Sequence, residues 1–224
     1  MCQIMTLTAD EKTGILYRKG TFDEWILKES RGYFPLGIQD NDVVLDIGGH
    51  IGCFAARARL ENSSAKIISF EAEFSNYEVL KENAREFCFL SYHLAVTDNS
   101  RHLKTIPIYI NTLKNNALHS LLYTRGRPYQ TVIGRSFNNI IYENLPTIIK
   151  CDIEGGEFDL SWNSLLLWPQ VRLVIIELHL SRKGFRDKAR KMLETFKDMG
   201  FEIIGKPPRI GDKNWTTLAK FQRR

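Results

Sequence analysis

The chain reads as an α/β fold in which a mostly parallel sheet ends in an antiparallel hairpin, and three observations predict it. Residues 43–52, VVLDIGGHIG, place a short apolar run ahead of a Gly-rich turn, the pattern of a buried strand that feeds a helix. Further strand-like runs at 66–72, 91–96, 147–150 and 172–180 are separated by helical or irregular stretches, as in repeated βα units. Finally, FEIIG (201–205) and NWTTLAKF (214–221) are two strands divided by a Pro-Pro and Gly loop, so the last pair is read as antiparallel.

Length and composition bound the rest. With 224 residues, the chain fits one domain over 1–224 and can bury roughly 70% of its unfolded surface. Charged residues at 25% and apolar ones at 43% are ordinary for a globular protein. No run reaches the roughly 18 apolar residues that a membrane span needs. The opening MCQIMTLTADEK lacks the basic-then-apolar order of a signal peptide. The expectation is a cytoplasmic protein with no membrane span. Cys2, Cys53, Cys88 and Cys151 show no C-x-x-C spacing and read as reduced core thiols, with neither a disulfide framework nor a zinc site. Net charge is +5, with a basic cluster at Arg182, Lys183, Arg186, Lys188, Arg190 and Lys191 and a basic end at Arg223 and Arg224. Phe185 falls on the apolar side of that helix, so the cluster reads as a solvated face and a nucleic-acid partner is not expected. Nothing in the composition speaks to oligomeric state.

Residues 1–40 form a cover segment ahead of the sheet. GILYRKG (14–20) is a short strand, and Thr21 is placed as the N-cap of a helix with Phe22, Trp25 and Ile26 at helical spacing, ended by Arg31, Gly32 and Pro35.

Next comes the turn that carries chemistry. Gly48, Gly49 and Gly52 allow a sharp bend and bring free N–H groups and a helix start close to a ligand, with no Cβ atoms in the way. A dinucleotide turn is G-x-G-x-x-G and cradles a pyrophosphate. Here the spacing is D-x-G-x-x-x-G from Asp46. A carboxylate there suits a ligand with an ammonium or sulfonium centre, and S-adenosylmethionine is such a ligand. Glu71 closes the second strand 25 residues beyond Asp46, where an acid can accept hydrogen bonds from two ribose hydroxyls.

Ser75 and Glu78 form a capping box for a helix that lines up Tyr77, Leu80, Ala84 and Phe87. Asp98 follows the third strand, where adenine is often gripped. Residues 99–146 break the alternation and read as an inserted, substrate-side excursion. They comprise a strand at 103–111, an irregular stretch at 118–130, a strand at 131–136 and a short helix at 137–144, and substrate specificity is expected there.

TIIKCDIEGGEF (147–158) presents Lys150, Asp152, Glu154 and Glu157 at the end of a buried strand, and RLVIIELHL (172–180) delivers Glu177 and His179 on one side. So many charges at the ends of parallel strands cost stability unless they bind something. A general base needs a pKa near the working pH. His179 is the chosen base, because an unperturbed imidazole titrates near neutrality. Glu177 orients it or binds the acceptor, Glu154 is the alternative base, and Asp152 contacts the methionine part of the cofactor or a metal. Asp152, Glu154, Glu177 and His179 could also supply ligands to a divalent ion, a use that is not favoured. The helix over 184–200 turns Phe185, Ala189, Met192, Leu193, Phe196 and Met199 to one face, and Gly200 stops it.

The pieces VVLDIGGHIG (43–52), SFEAEFSNYEVLKENA (69–84), HLAV (93–96), IIKCDIEGGEFDL (148–160) and VIIELH (174–179), with GTFDEW (20–25), together resemble the FkbM family of S-adenosylmethionine-dependent methyltransferases. The resemblance implies a seven-stranded, Rossmann-like class I methyltransferase fold. It also implies methyl transfer from S-adenosylmethionine to a hydroxyl of a sugar, glycan or natural product. Carried onto this chain, the cofactor positions are Asp46, Gly48, Gly49, His50, Gly52, Glu71, Ala72, Ala95 and Asp152. The chain departs from the family pattern at Ala72, where Pro is usual, and at His50, where Asn is common. Methylation of an RNA 2′-hydroxyl, or a binding protein that kept the fold without turnover, are the alternatives. A base-amine methyltransferase is disfavoured because CDIEGGEF stands where an Asn/Asp-Pro-Pro-aromatic loop would be.

Overall fold

The structure, a computed structural model, describes residues 6–98, 105–110, 129–211 and 215–224. A small antiparallel pair, β1 (Thr8–Ala9) and β2 (Leu16–Tyr17), precedes helix α1 (Asp23–Glu29). The main sheet is built from β3 (Val43–Ile47), β4 (Lys66–Glu71), β5 (Leu90–His93), β9 (Ile148–Cys151), β10 (Leu173–His179), β11 (Phe201–Ile203) and β12 (Thr216–Arg223). Its seven strands run in the order β11-β12-β10-β9-β3-β4-β5. Strands β10, β9, β3, β4 and β5 are parallel neighbours, and β12 is antiparallel to both β10 and β11. The fold is thus the expected α/β, Rossmann-like class I methyltransferase architecture with its terminal antiparallel hairpin.

The central strands are apolar without alternation because both faces are covered. Leu45, Ile47, Ile68, Ile149, Val174 and Ile176 enter one core with the inner faces of α4 (Phe137–Asn144) and α5 (Phe185–Asp198). Val44, Ile67, Ile148, Leu173 and Ile175 point the other way, into a core with α2 (Cys53–Glu61), α3 (Phe74–Glu86) and the N-terminal segment. Adjacent residues on a strand face opposite sides. Pairing β3 with both β4 and β9 puts the carboxyl ends of β3, β4, β9 and β10 along one rim. The strand order reverses about β3, and ligands of open α/β sheets bind at such a reversal.

Several local expectations change. The strand read over 91–96 is cut at Leu94: β5 stays on the edge of the main sheet, while β6 (Ala95–Val96) joins a second, three-stranded sheet. That sheet holds the antiparallel pair β7 (Thr105–Tyr109) and β8 (Tyr129–Arg135), the two strands expected in the inserted excursion. The irregular stretch between them and Cys2 lie outside the described residues.

Helix α3 begins at Phe74 and is capped by Glu73, whose carboxylate accepts from the amides of Ser75 (3.0 Å) and Asn76 (2.7 Å). The expected Ser75 box is replaced because a carboxylate meets both the free donors and the positive helix end. Helix α1 likewise opens with Phe22 as its N-cap, and Thr21 Oγ1 accepts from the Asp23 amide at 3.2 Å.

Asp98 does not reach a ligand site. Its two oxygens accept from the amides of Phe137 (2.9 Å) and Ser161 (2.6 Å), tying the start of α4 to the loop after β9. Cys53 and Cys151 are buried as expected, but Cys88 is exposed, just past α3 with φ 54°. On α5 the basic residues face solvent, Lys188 pairing with Asp159 and Arg190 with Asp187. Among the described residues no helix is long and apolar enough to cross a membrane.

Candidate active site

The rim holds a cavity of about 210 Å³. Its walls come from α1, the Gly-rich turn, the ends of β4, β9 and β10, and Ile108 of β7. One end is apolar, with Phe70, Ala72, Leu94, Ala95 and Val96 around Glu71. The other end is acidic, with Glu29, Asp152, Glu154 and Glu177 beside His179.

At the apolar end, Glu71 is almost fully buried. One of its oxygens accepts from the His50 amide and the other from the Glu73 amide, both at 2.8 Å. Burial pushes this carboxyl up to about 7. Each oxygen keeps a lone pair that can accept a further hydrogen bond. His50 adopts φ 51°, a conformation that His, like Asn, visits more often than most residues do, and its ring lies 3.9 Å from the buried Asp23. Arg18 holds Asp23 through two bonds, at 2.8 and 2.9 Å, and reaches Asn76 of α3 at 2.5 Å. The cover segment is therefore clamped to α3 and set against the Gly-rich turn.

The glycines of the turn serve the protein more directly than a ligand. A Cβ on Gly48, which has φ +81°, would stand 1.8 Å from the Asp152 carbonyl oxygen, and one on Gly49 would stand 2.1 Å from Ser69 Oγ. Gly48 also lines the cavity. The two glycines let the turn lie against the ends of β4 and β9. Gly52 is the N-cap of α2 in a left-handed conformation.

Asp46 is fully buried and outside the cavity wall. It accepts from Ser69 Oγ at 2.7 Å and lies 3.2 Å from Lys150 Nζ. Lys150 donates to the Gly48 carbonyl at 2.7 Å and reaches Asp152 at 3.6 Å. Burial opposes the ammonium charge, but Asp46 and Asp152 outweigh it and raise its pKa. Asp46 acts on the turn from beneath, through Lys150.

At the acidic end Glu157, at 0% exposure, accepts from the His179 amide at 2.8 Å, and its Oε1 lies 3.1 Å from His179 Nδ1. The same carboxylate accepts from the Gly155 amide at 2.8 Å. His179 Nε2 faces Glu154 at 3.4 Å and Asp152 at 3.8 Å. Burial disfavours the imidazolium, but Glu157, Glu154 and Asp152 outweigh it and hold the ring well above its ordinary value. The expectation of near-neutral titration is corrected accordingly.

Burial, with Asp152 and Glu177 nearby, pushes Glu154 up to about 8. Burial and Asp152 push Glu177 up to about 7, and Tyr33 donates to Glu177 at 3.4 Å. Glu154 has φ 54° and Gly155 φ 97°, so this turn spends conformational energy to aim its acid.

The structure therefore brings together His50, Glu71, Ala72, Ala95, Asp152, Glu154, Glu177 and His179 with Gly48, and leaves Asp46, Gly49 and Gly52 behind the wall. Sequence reasoning missed Glu29 and Tyr33 from the cover segment and assigned no role to Glu157. Glu29 stands four residues past Trp25, on the stripe already marked by Phe22, Trp25 and Ile26, and that spacing was its available signal. Among the described residues no group of three or more His, Cys, Asp or Glu side chains is arranged to hold a metal ion.

Comparison with known proteins agrees with this geometry. Residues 46–203 match the family described as the methyltransferase FkbM domain. A solved methyltransferase FkbM from Methylobacillus flagellatus KT is similar, with a TM-score of 0.56 and 18% identity over 84% of this chain. This chain spans only 46% of that protein. A precorrin-6y C5,15-methyltransferase from Geobacter metallireducens GS-15 is similar at a TM-score of 0.50 and 11% identity, over 97% of this chain and 94% of that one. No curated protein matches the chain.

Proposed function

Because this chain belongs to the FkbM family of methyltransferases, we propose that it transfers a methyl group from S-adenosylmethionine to a hydroxyl oxygen of a sugar, glycan or related natural product. The observation that carries this reading is one continuous cavity, joining the buried Glu71 to a histidine held at both its amide and its ring by the buried Glu157.

The residues fit such a cofactor. The lone pairs left on Glu71 suit two vicinal hydroxyls, and Phe70, Ala72 and Ala95 supply the apolar surroundings that an adenine needs. At the other end the carboxyls of Asp152, Glu154 and Glu177 suit a cationic ligand, and Glu154 and Glu177, raised by burial and by the carboxylate of Asp152, gain from a positive charge among them. When bound, S-adenosylmethionine supplies an electrophilic methyl group on a cationic sulfur.

The chain's own residues do the rest. Walls of the cavity place the acceptor hydroxyl, and positioning alone can be worth several kcal/mol, up to roughly 7–11 kcal/mol for ideal alignment. His179 Nε2 receives the hydroxyl proton while Glu157 keeps a proton on Nδ1 and fixes the ring. In the free protein the surrounding acids favour the imidazolium. A cation bound beside Asp152 and Glu154 weakens that pull and returns the ring toward its basic form. Glu154 is the alternative base.

The test is calorimetric titration with S-adenosylmethionine and S-adenosylhomocysteine, followed by transfer of a labelled methyl group to a panel of uncharged glycosides. Micromolar cofactor binding and labelling of a hydroxyl support the reading. A wild-type protein that binds neither cofactor form overturns it.

A further inference from the structure

Every carboxyl on the cavity wall has a protein partner except one. Glu71 accepts two backbone amides, Asp152 stands 3.6 Å from Lys150, Glu154 stands 3.4 Å from His179, and Glu177 accepts from Tyr33. Among the described residues, no donor is hydrogen-bonded to the Glu29 carboxyl and no cation stands within ion-pair distance of it. It is half-buried all the same, on the last turn of α1.

Its position is also particular. Glu29 lines the main cavity and a smaller side cavity of about 30 Å³ beside the Gly-rich turn. The two share Ile26, Gly48, His50 and Asp152, so they adjoin along one wall. Lys150 lines the side cavity as well. The Lys150 ammonium is already engaged by Asp46, Asp152 and the Gly48 carbonyl, which leaves Glu29 as the carboxyl of this recess open to a ligand's ammonium. Buried polar groups are almost always paired, and an ionised one left alone is costly.

We propose that Glu29 pairs with the α-ammonium of the cofactor's amino-acid end, so that helix α1 forms part of the cofactor site instead of a passive cover. This rests on the reading of the cavity as a site for S-adenosylmethionine. Burial and the neighbouring Glu177 and Asp152 push the free Glu29 carboxyl up to about 8, as expected of an acid whose counter-charge arrives with a ligand. The helix is held for this task from behind: Leu27 and Ser30 are buried, and Arg57 donates to Ser30 Oγ at 2.8 Å and to the Leu27 carbonyl at 3.0 Å.

Two probes separate this pair from every other contact. S-adenosylhomocysteine carries the amino-acid end, and 5′-methylthioadenosine lacks it while keeping the adenosine. Calorimetric titration of the wild type and of Glu29→Gln with both is expected to show a loss of about tenfold to hundredfold for S-adenosylhomocysteine, the range of a hydrogen bond to a charged group. Binding of 5′-methylthioadenosine should stay within about twofold. Equal losses for both probes, or no loss for either, overturn the proposal. If wild-type protein binds neither probe, the cofactor reading itself falls and takes this inference with it. If wild-type protein binds both equally, the amino-acid end is not held and the inference alone falls.

Discussion

Glu157 Oε1 stands 2.8 Å from the backbone nitrogen of His179 and 3.1 Å from its Nδ1, so one fully buried carboxylate fixes both the main chain and the ring of the proposed base. The same carboxylate raises the pKa of that ring, with Glu154 and Asp152 adding to it against the opposing effect of burial. The base is positioned by the group that also holds it protonated.

From this pair follows a kinetic expectation. His179→Ala should lower single-turnover methyl transfer by about 10²- to 10⁴-fold, the usual worth of a general base, with S-adenosylhomocysteine affinity within about threefold. Loss of less than threefold in transfer would remove the base assignment. Because the neutral ring forms only as pH rises through a raised pKa, the wild-type rate should climb along a limb centred above the ordinary histidine value of about 6.5. In Glu157→Gln that limb should move toward acid and the maximal rate should fall, since the charge that raises the pKa and the acceptor that fixes the ring are both altered.

Glu71 and Asp46 should separate cleanly. Glu71→Gln keeps the size of a side chain on the cavity wall and should weaken S-adenosylhomocysteine by about tenfold or more while Tm stays within about 4 °C. Asp46→Ala leaves the ammonium of Lys150 without its nearest carboxylate. Breaking a buried pair costs about 3–5 kcal/mol, and Tm should fall by roughly 6–20 °C. Differential scanning calorimetry beside the titration distinguishes the two. A stable Asp46→Ala protein would show that the buried pair does not support the fold.

Gly48→Ala is expected to be among the most damaging single changes, because the new Cβ would lie 1.8 Å from the Asp152 carbonyl oxygen at a left-handed φ. A cost of about 3 kcal/mol or more is expected from overpacking and strain together. Gly20→Ala is the control, since it shares a positive φ but has open space around it. It should cost no more than about 1–2 kcal/mol. Equal denaturation midpoints for the two variants would remove the close-approach argument.

Stability of the ligand-free protein should decline from mildly acid to mildly alkaline pH. Glu29 and Glu154 are raised to about 8, and Glu71 and Glu177 to about 7, chiefly by burial. Each binds more protons folded than unfolded between its ordinary value and its raised one, so stability falls across that window. His179, also raised, contributes stability that is complete below its unfolded value of about 6.5 and is lost as pH rises through its folded value. All five act in the same direction. A Tm that falls from pH 5 to pH 9, and falls less with S-adenosylhomocysteine present, is the expected result in a thermal scan. A Tm that rises over that range would contradict it.

Much of this architecture was legible in the chain. Uninterrupted apolar runs such as residues 43–45 and 173–176 have no polar face to offer water and must lie in a covered parallel sheet. Gly-rich spacing marked the turn, and acids at strand ends marked the rim. Local partners were less legible. Glu73 and Ser75 both stand near the start of α3, and only the backbone geometry decides which accepts its amides. Asp98 was read toward a ligand because its place after a strand suits one, yet the loop after β9 supplies Ser161 as a donor 63 residues away in sequence.

The sequence by itself determined the fold class, the Gly-rich turn and the identity of the rim residues, because apolar periodicity and residue spacing are properties of short segments. Only the tertiary structure decided what those residues face. It buried Asp46 with Lys150, put Glu157 behind His179, and folded α1 back so that Glu29 opens onto the same cavity as Asp152. Charge and burial depend on neighbours far apart in the chain, so the protonation of His179, and the part played by the first 40 residues, became readable only when those neighbours were in place.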